Sequence, residues 1–180
     1  DLKRFVFAGK LMELKRVENS IMALNSVWGA ENFHFDIVGD GGCMESLKSL
    51  VGKLGIDEKV SFYGWLAREK AQEIIAASDC FIMVSDHEAF GLAYLEAMAK
   101  GCITIGTIGQ GADGIIENGV NGFLCSPKNL DALISLLKNI RDMKEGELNV
   151  ISERAIQTAA ELTDEKVAQS YLSAIIDNIS

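Results

Sequence analysis

The segment best equipped for chemistry is Ser85-Asp86-His87-Glu88-Ala89-Phe90-Gly91-Leu92-Ala93-Tyr94-Leu95-Glu96-Ala97-Met98-Ala99-Lys100-Gly101. From Gly91 onward it is small or apolar all round, the composition of a buried helix rather than an amphipathic one. Glu96 is the sole carboxylate of that helix, and a buried carboxylate is very costly unless donors meet it. Two adjacent hydroxyls, such as a ribose diol, would satisfy both oxygens. A core lysine or arginine would do so as well, and both readings stand. At Phe90, Gly91 and Leu92 the helix start leaves backbone N–H groups free for an anion, and Gly91 lets a phosphate come close. His87 reads as a loop residue rather than a general base, and His34 as structural. Two histidines without a third partner do not make a Ser-His-Asp hydrolase.

Three further segments carry polar potential. In Gly9-Lys10-Leu11-Met12-Glu13-Leu14-Lys15-Arg16, Lys10 and Lys15 are point charges of the kind that neutralise a leaving diphosphate. Gly39-Asp40-Gly41-Gly42 follows a strand but lacks the third glycine of a dinucleotide fingerprint, since Met44 stands in its place. It is either a tight turn or a turn that also lets a ligand reach the backbone. Gly106-Thr107-Ile108-Gly109-Gln110-Gly111-Ala112-Asp113-Gly114 offers four glycines and their N–H groups, Gly111 among them, as a polar rim. Trp65 and Leu66 are where a nucleobase would lie.

Alternating strand and helix patterns must position these segments. Strands are expected at 5–8, 33–38, 60–63, 80–84, 103–105 and 122–125. Between them, helical spacing marks 17–28, 44–54, 68–77 and 91–100. From Asn129 the chain reads as helical almost to its end, with breaks near Gly146 and Thr163. Strands separated by helices imply right-handed crossovers and a doubly wound parallel sheet, an α/β fold of one Rossmann-like domain over residues 1–180. Ligands of such sheets bind beyond the carboxyl ends of the strands, where the segments above fall.

Composition narrows the function classes. With 180 residues, 48% hydrophobic and 24% charged, the chain suits one globular domain and not disorder. The net charge of −9 argues against nucleic acid as a partner. Five of the 17 basic residues lie in the first 16 positions, a local positive spot suited to a small anion. No apolar run reaches the roughly 18 residues of a membrane span. The start at Asp1-Leu2-Lys3-Arg4-Phe5 has no signal-peptide core and is expected to be a cut at a domain boundary. Cys43, Cys80, Cys102 and Cys125 form no metal-binding pair and read as reduced core thiols of a cytoplasmic protein, with no metal site.

The residues also resemble a known family. The Glu-x7-Glu frame of Glu88 and Glu96, within Ser-x-x-Glu-x-Phe-Gly-x-x-x-Leu-Glu-Ala-Met-Ala-x-Gly, is similar to the motif of retaining glycosyltransferases of the glycosyltransferase-4 type. Gly9-Lys10-Leu11 with Lys15 is similar to their Gly-Arg-Leu-x-x-x-Lys phosphate segment, and Gly39-Asp40-Gly41, Phe62-Tyr63-Gly64 and Asn118-Gly119-Val120-Asn121-Gly122-Phe123 follow in the family's order. The match runs over roughly residues 5 to 140 of the sequence. It implies one half of a GT-B fold, the C-terminal half that binds a nucleoside-diphosphate sugar. By that resemblance Glu96 holds the ribose hydroxyls and Glu88 the donor sugar. Lys10 and Lys15 take the diphosphate, and Phe90-Gly91-Leu92 closes around sugar and phosphate, with Gly9, Gly41, Trp65, Leu66 and Gly111 completing the donor site.

The resemblance further implies no cofactor and no metal. The acceptor, a glycan or a lipid-linked one, would be held by a missing N-terminal domain, and peripheral membrane contact would run through that half. A C-terminal helix within 164–180 would pack on it, and the isolated domain would be inactive alone. Three residues depart from the family pattern: Lys10 for arginine, Arg16 for a common glycine, and Gly114 for glutamate, with Asp113 beside it as a stand-in. Two alternatives remain beside the glycosyltransferase reading. One is a sugar-nucleotide epimerase or a phosphorylase on the same architecture, although no lysine shows an evident pyridoxal-phosphate pocket. The other is a non-catalytic nucleotide-binding domain.

Overall fold

The computed structural model describes residues 2–88 and 91–162, so Phe90 and the expected helix at 164–180 lie outside the described residues. Six strands run β1 (Arg4–Ala8), β2 (His34–Val38), β3 (Val60–Gly64), β4 (Cys80–Ile82), β5 (Ile103–Thr107) and β6 (Phe123–Cys125). They form one sheet in the order β3-β2-β1-β4-β5-β6, every pairing parallel. The helices are α1 (Val17–Trp28), α2 (Met44–Leu54), α3 (Arg68–Ala76), α4 (Leu92–Ala99), α5 (Leu130–Arg141) and α6 (Glu145–Glu161). The architecture is the doubly wound parallel α/β sheet of a Rossmann-like domain.

Alternation along the strands assigns the layers. Phe5 of β1 meets Trp28 of α1 with ring centroids 4.9 Å apart. Its register partner on β4 is Cys80, so the next pair, Val6 and Phe81, points to the other face. There Phe81 meets Tyr94 of α4 edge-on at 5.9 Å. Helices α1 and α5 pack together, as do α4 and α6, and the sheet's side chains between these layers are buried.

Two boundaries differ from the sequence expectation for physical reasons. The apolar run 80–84 reads as one strand, yet β4 is bounded at Ile82; Met83 N–H still donates to Ile105 O at 3.1 Å, and Met83 and Val84 stay buried. The helical break falls at Asp142-Met143-Lys144, not at Gly146, which lies inside α6. Glu147 sets that start by accepting the Lys144 backbone N–H at 2.9 Å, the reciprocal half of an N-terminal cap. Gly146 sits in the first turn, where its flexibility costs little.

Candidate functional site

The strand order reverses between β1 and β4, so the segments after these neighbours leave for opposite faces and open a crevice at their carboxyl ends. A cleft of about 470 Å³ lies there, with Gly9, Lys10, Gly39, Trp65, Leu66 and Glu96 in its wall. Glycine makes its floor. Gly39 has φ +135°, and a Cβ there would stand 1.8 Å from the Gly9 carbonyl oxygen. A Cβ on Gly41 would stand 2.3 Å from the Leu11 carbonyl oxygen. The chains after β1 and β2 are therefore in backbone contact, joined by Gly9 N–H to Val38 O and Leu11 N–H to Asp40 O, each 2.9 Å. The Gly39–Gly42 turn thus packs against the protein's own backbone, and Gly41 acts by supporting Leu11.

Glu96 corrects the burial argument. Helix α4 is not buried all round: Tyr94, Ala97 and Met98 are buried, but Leu92 is 67% exposed and the Glu96 side chain 30% exposed. The open side of α4 forms a wall of the cleft through Ala93 and Glu96. Arg68, the first residue of α3, donates from Nη2 to Glu96 Oε1 at 2.8 Å. That arginine is 74% exposed, so the partner is a surface guanidinium and not a core one. Water and Arg68 suffice to solvate the carboxylate without a ligand. What survives is its position, in the same cleft as Lys10 and Trp65.

Lys15, Glu88 and Gly111 form a second group beside the cleft. Lys15 pairs with Glu88, both largely buried. The Glu88 backbone is held from the other side: its N–H donates to Gln110 Oε1 at 3.2 Å, and its carbonyl accepts Gly111 N–H at 2.8 Å. Gly91 begins α4 in a left-handed conformation at φ +63°, and a Cβ there would lie 2.6 Å from Tyr94 Cδ2. Tyr94 donates its hydroxyl to the Met83 carbonyl at 2.7 Å, and burial pushes its pKa up to about 12.

The neighbouring loop offers less to a ligand than its glycines imply. The Gly111 N–H is already engaged by Glu88, and Gly109 N–H donates to Asp113 Oδ2 at 2.8 Å. Asp113, the expected stand-in for a family glutamate, is thus occupied in its own loop. Gly106 belongs to β5, where a Cβ would meet Ala112 Cβ at 2.6 Å. Arg16 has φ +49°, the conformation glycine accepts most readily, which suits the glycine that the resemblance implies there. Its Nε donates to Asp86 Oδ2 at 3.0 Å, and Nη2 donates to the same oxygen. That hydrogen bond raises the Arg16 pKa and holds Asp86 below the usual carboxylate range.

The histidines do not join the site. His87 is exposed, and His34 Nε2 lies 2.9 Å from Ser61 Oγ and 3.2 Å from Asp36 Oδ1, inside the sheet's own polar network. Among the described residues no three His, Cys, Asp or Glu side chains gather as metal ligands. All four cysteines are free; Cys80, Cys102 and Cys125 are buried and Cys43 half-buried. Among the described residues no helix is long and apolar enough to cross a membrane. Sequence reasoning missed Arg68, Asp86 and Gln110 as partners. Each reaches its contact across 22 or more positions, as Gln110 does to Glu88, so no local spacing marks them.

Comparison with known proteins agrees with this geometry. The family model for glycosyl transferases group 1 matches residues 1–158. N-acetyl-alpha-D-glucosaminyl L-malate synthase of Bacillus anthracis is 29% identical over 177 residues, covering 97% of this chain and 45% of the relative. Lipopolysaccharide 1,6-galactosyltransferase of Escherichia coli is 28% identical over 182 residues, covering 98% of this chain and 49% of the relative. Anabaena Alr3699/HepE, solved in complex with UDP-glucose, superposes with a TM-score of 0.83 at 22% identity, over 99% of this chain and 49% of that one. The chain spans about half the length of these relatives.

Proposed function

The chain belongs to the glycosyl transferases group 1 family, and from that premise we propose that it is the donor-binding half of a retaining glycosyltransferase. Its substrate is a nucleoside-diphosphate sugar, and the sugar passes to a glycan or lipid-linked acceptor held by an N-terminal half. The observation that carries this reading is the cleft at the β1/β4 crossing, with a lysine, an exposed indole and a carboxylate in one wall system. The base lies toward Trp65 and Leu66, and the ribose hydroxyls donate to Glu96. Lys10 and Lys15 neutralise the charge that builds on the leaving diphosphate, with the N–H groups at Gly91 and Leu92 adding to that field. No resident metal or cofactor is needed for that task. Glu88 contacts the donor sugar. The protein's contribution is then mainly positional and electrostatic.

Lysine at position 10 supplies a point charge in place of a bidentate fork, so the diphosphate is held by charge more than by fixed geometry. The protein is placed in the cytoplasm, where nucleotide sugars are made, with membrane contact left to the N-terminal half. Residues 1–180 taken alone should bind nucleotide and transfer no sugar, since in this reading the acceptor is held by the N-terminal half. Calorimetry with UDP, GDP and ADP on the wild type and Glu96→Ala tests the reading. A hydrogen bond to a charged carboxylate is worth about 1.5–3 kcal/mol net. The substitution should therefore weaken the preferred nucleotide about 10–100-fold. Equal affinity in both proteins would refute the ribose role.

A further inference from the structure

Arg16 is the one non-glycine residue with positive φ among the described residues, at φ 49° and ψ 37°. A Cβ-bearing residue avoids this conformation, and glycine would take it freely. The compensation is in its side chain. Arg16 Nε and Nη2 both donate to Asp86 Oδ2, while Nη1 stands 3.6 Å from Glu18 Oε1. Asp86 is 11% exposed, and its Oδ1 is buried with no partner among the described residues. One carboxylate oxygen thus receives the whole fork. Beside this contact, Asp86 N–H donates to Leu14 O at 2.7 Å, and Lys15 pairs with Glu88. Residues 14–16 after β1 are therefore tied at three points to residues 86–88 after β4, across the point where the sheet reverses.

We propose that the Arg16–Asp86 pair is a strap that positions Glu88, and that it holds the sugar end of the cleft in place when ligand draws Lys15 away. This rests on the donor-site reading above. The Lys15–Glu88 pair cannot hold Glu88 by itself in that reading, because the diphosphate competes for the same ammonium. None of Lys15, Arg16, Asp86 and Glu88 lies in the cleft wall itself, but the donor-site reading gives Arg16 and Asp86 no ligand group to hold, so nothing competes for their contact. The guanidinium fork also fixes direction, which an ammonium cannot. Arg16 and Asp86 are positioning residues; neither touches the substrate.

Native-state amide exchange on the chain, with UDP calorimetry alongside, tests the strap. Removing Arg16 alone would strand a largely buried carboxylate, so the decisive variant is Arg16→Gly combined with Asp86→Asn. This variant relieves the backbone and leaves no orphan charge. Exchange at residues 86, 88 and 111 should quicken about tenfold or more while the β1 and β5 amides keep their rates, and UDP affinity should fall about tenfold. Arg16→Lys, which keeps the charge without the fork, should lie between the wild type and the double variant. Unchanged exchange at the three positions, or equal acceleration in β1 and β5, would overturn the strap. If the wild type bound no UDP, the donor-site reading would fall, and the exchange rates would still decide whether the strap exists.

Discussion

Substituting Gly39 by alanine is the most exacting perturbation of the cleft. The new Cβ would stand 1.8 Å from the Gly9 carbonyl oxygen and 2.9 Å from the Gly9 carbonyl carbon. Both obstacles are backbone, so no side chain can swing aside. The chains after β1 and β2 must separate by more than an ångström, on the order of the overlap itself. The hydrogen bonds Gly9 N–H to Val38 O and Leu11 N–H to Asp40 O flank the collision, each 2.9 Å. Losing both costs about 1 kcal/mol apiece, and alanine at φ +135° adds strain of about 1–3 kcal/mol. The loss is then about 3–5 kcal/mol of a total near 5–15 kcal/mol. For a domain of this size the melting temperature should fall by roughly 6–20 °C.

Gly42→Ala is the matched control, since its Cβ meets nothing within 4 Å. It should stay within about 0.5 kcal/mol of the wild type. Thermal unfolding followed by circular dichroism reads both variants. UDP calorimetry below the lower transition should show Gly39→Ala weakened about tenfold or more, because Gly9 and Lys10 move with the displaced chain. Melting temperatures within about 2 °C of each other, with equal UDP affinity, would refute the reasoning about close packing.

Two other outcomes follow from the core. Burial pushes Cys102 from 9.0 and Tyr94 from 10.0 up to about 12. The native state therefore keeps protons that the unfolded chain releases, so the stability these two groups contribute is fully present below pH 9 and declines as pH rises toward 12. Melts across that range should show the decline, and Tyr94→Phe should flatten its upper part; an unchanged slope would contradict the assignment. Trp28→Ala removes the fully packed indole that meets Phe5 at 4.9 Å. It should cost about 3–5 kcal/mol in urea unfolding.

Much of the fold is legible in local pattern. Helix α2 ends where Gly55 allows, with φ +65° and its N–H bonded to Gly52 O and Val51 O in the closing turn. The bounds of α1 follow from apolar spacing that Trp28 and Val17 complete on one buried face. The end of β4 is not legible, because Met83 and Val84 are as apolar and as buried as the strand. Glu96 shows the same limit at the site. Its neighbours in sequence are apolar, yet α4 presents an open side to the cleft, which composition cannot register. Lys15 and Glu88 are identified from the family motifs, but their mutual pairing and the Arg16–Asp86 contact span 70 or more positions and emerge only from the fold.

Chemical-shift mapping of the nitrogen-15-labelled chain with UDP tests the central claim most directly. Saturable shifts should gather at Gly9–Leu11, Gly39–Gly41, Glu88 and Leu92, around the cleft. Shifts centred instead on the hollow of about 450 Å³ bounded by Lys3, Glu31, Asn32 and Arg141, or no saturable shift at millimolar UDP, would contradict it.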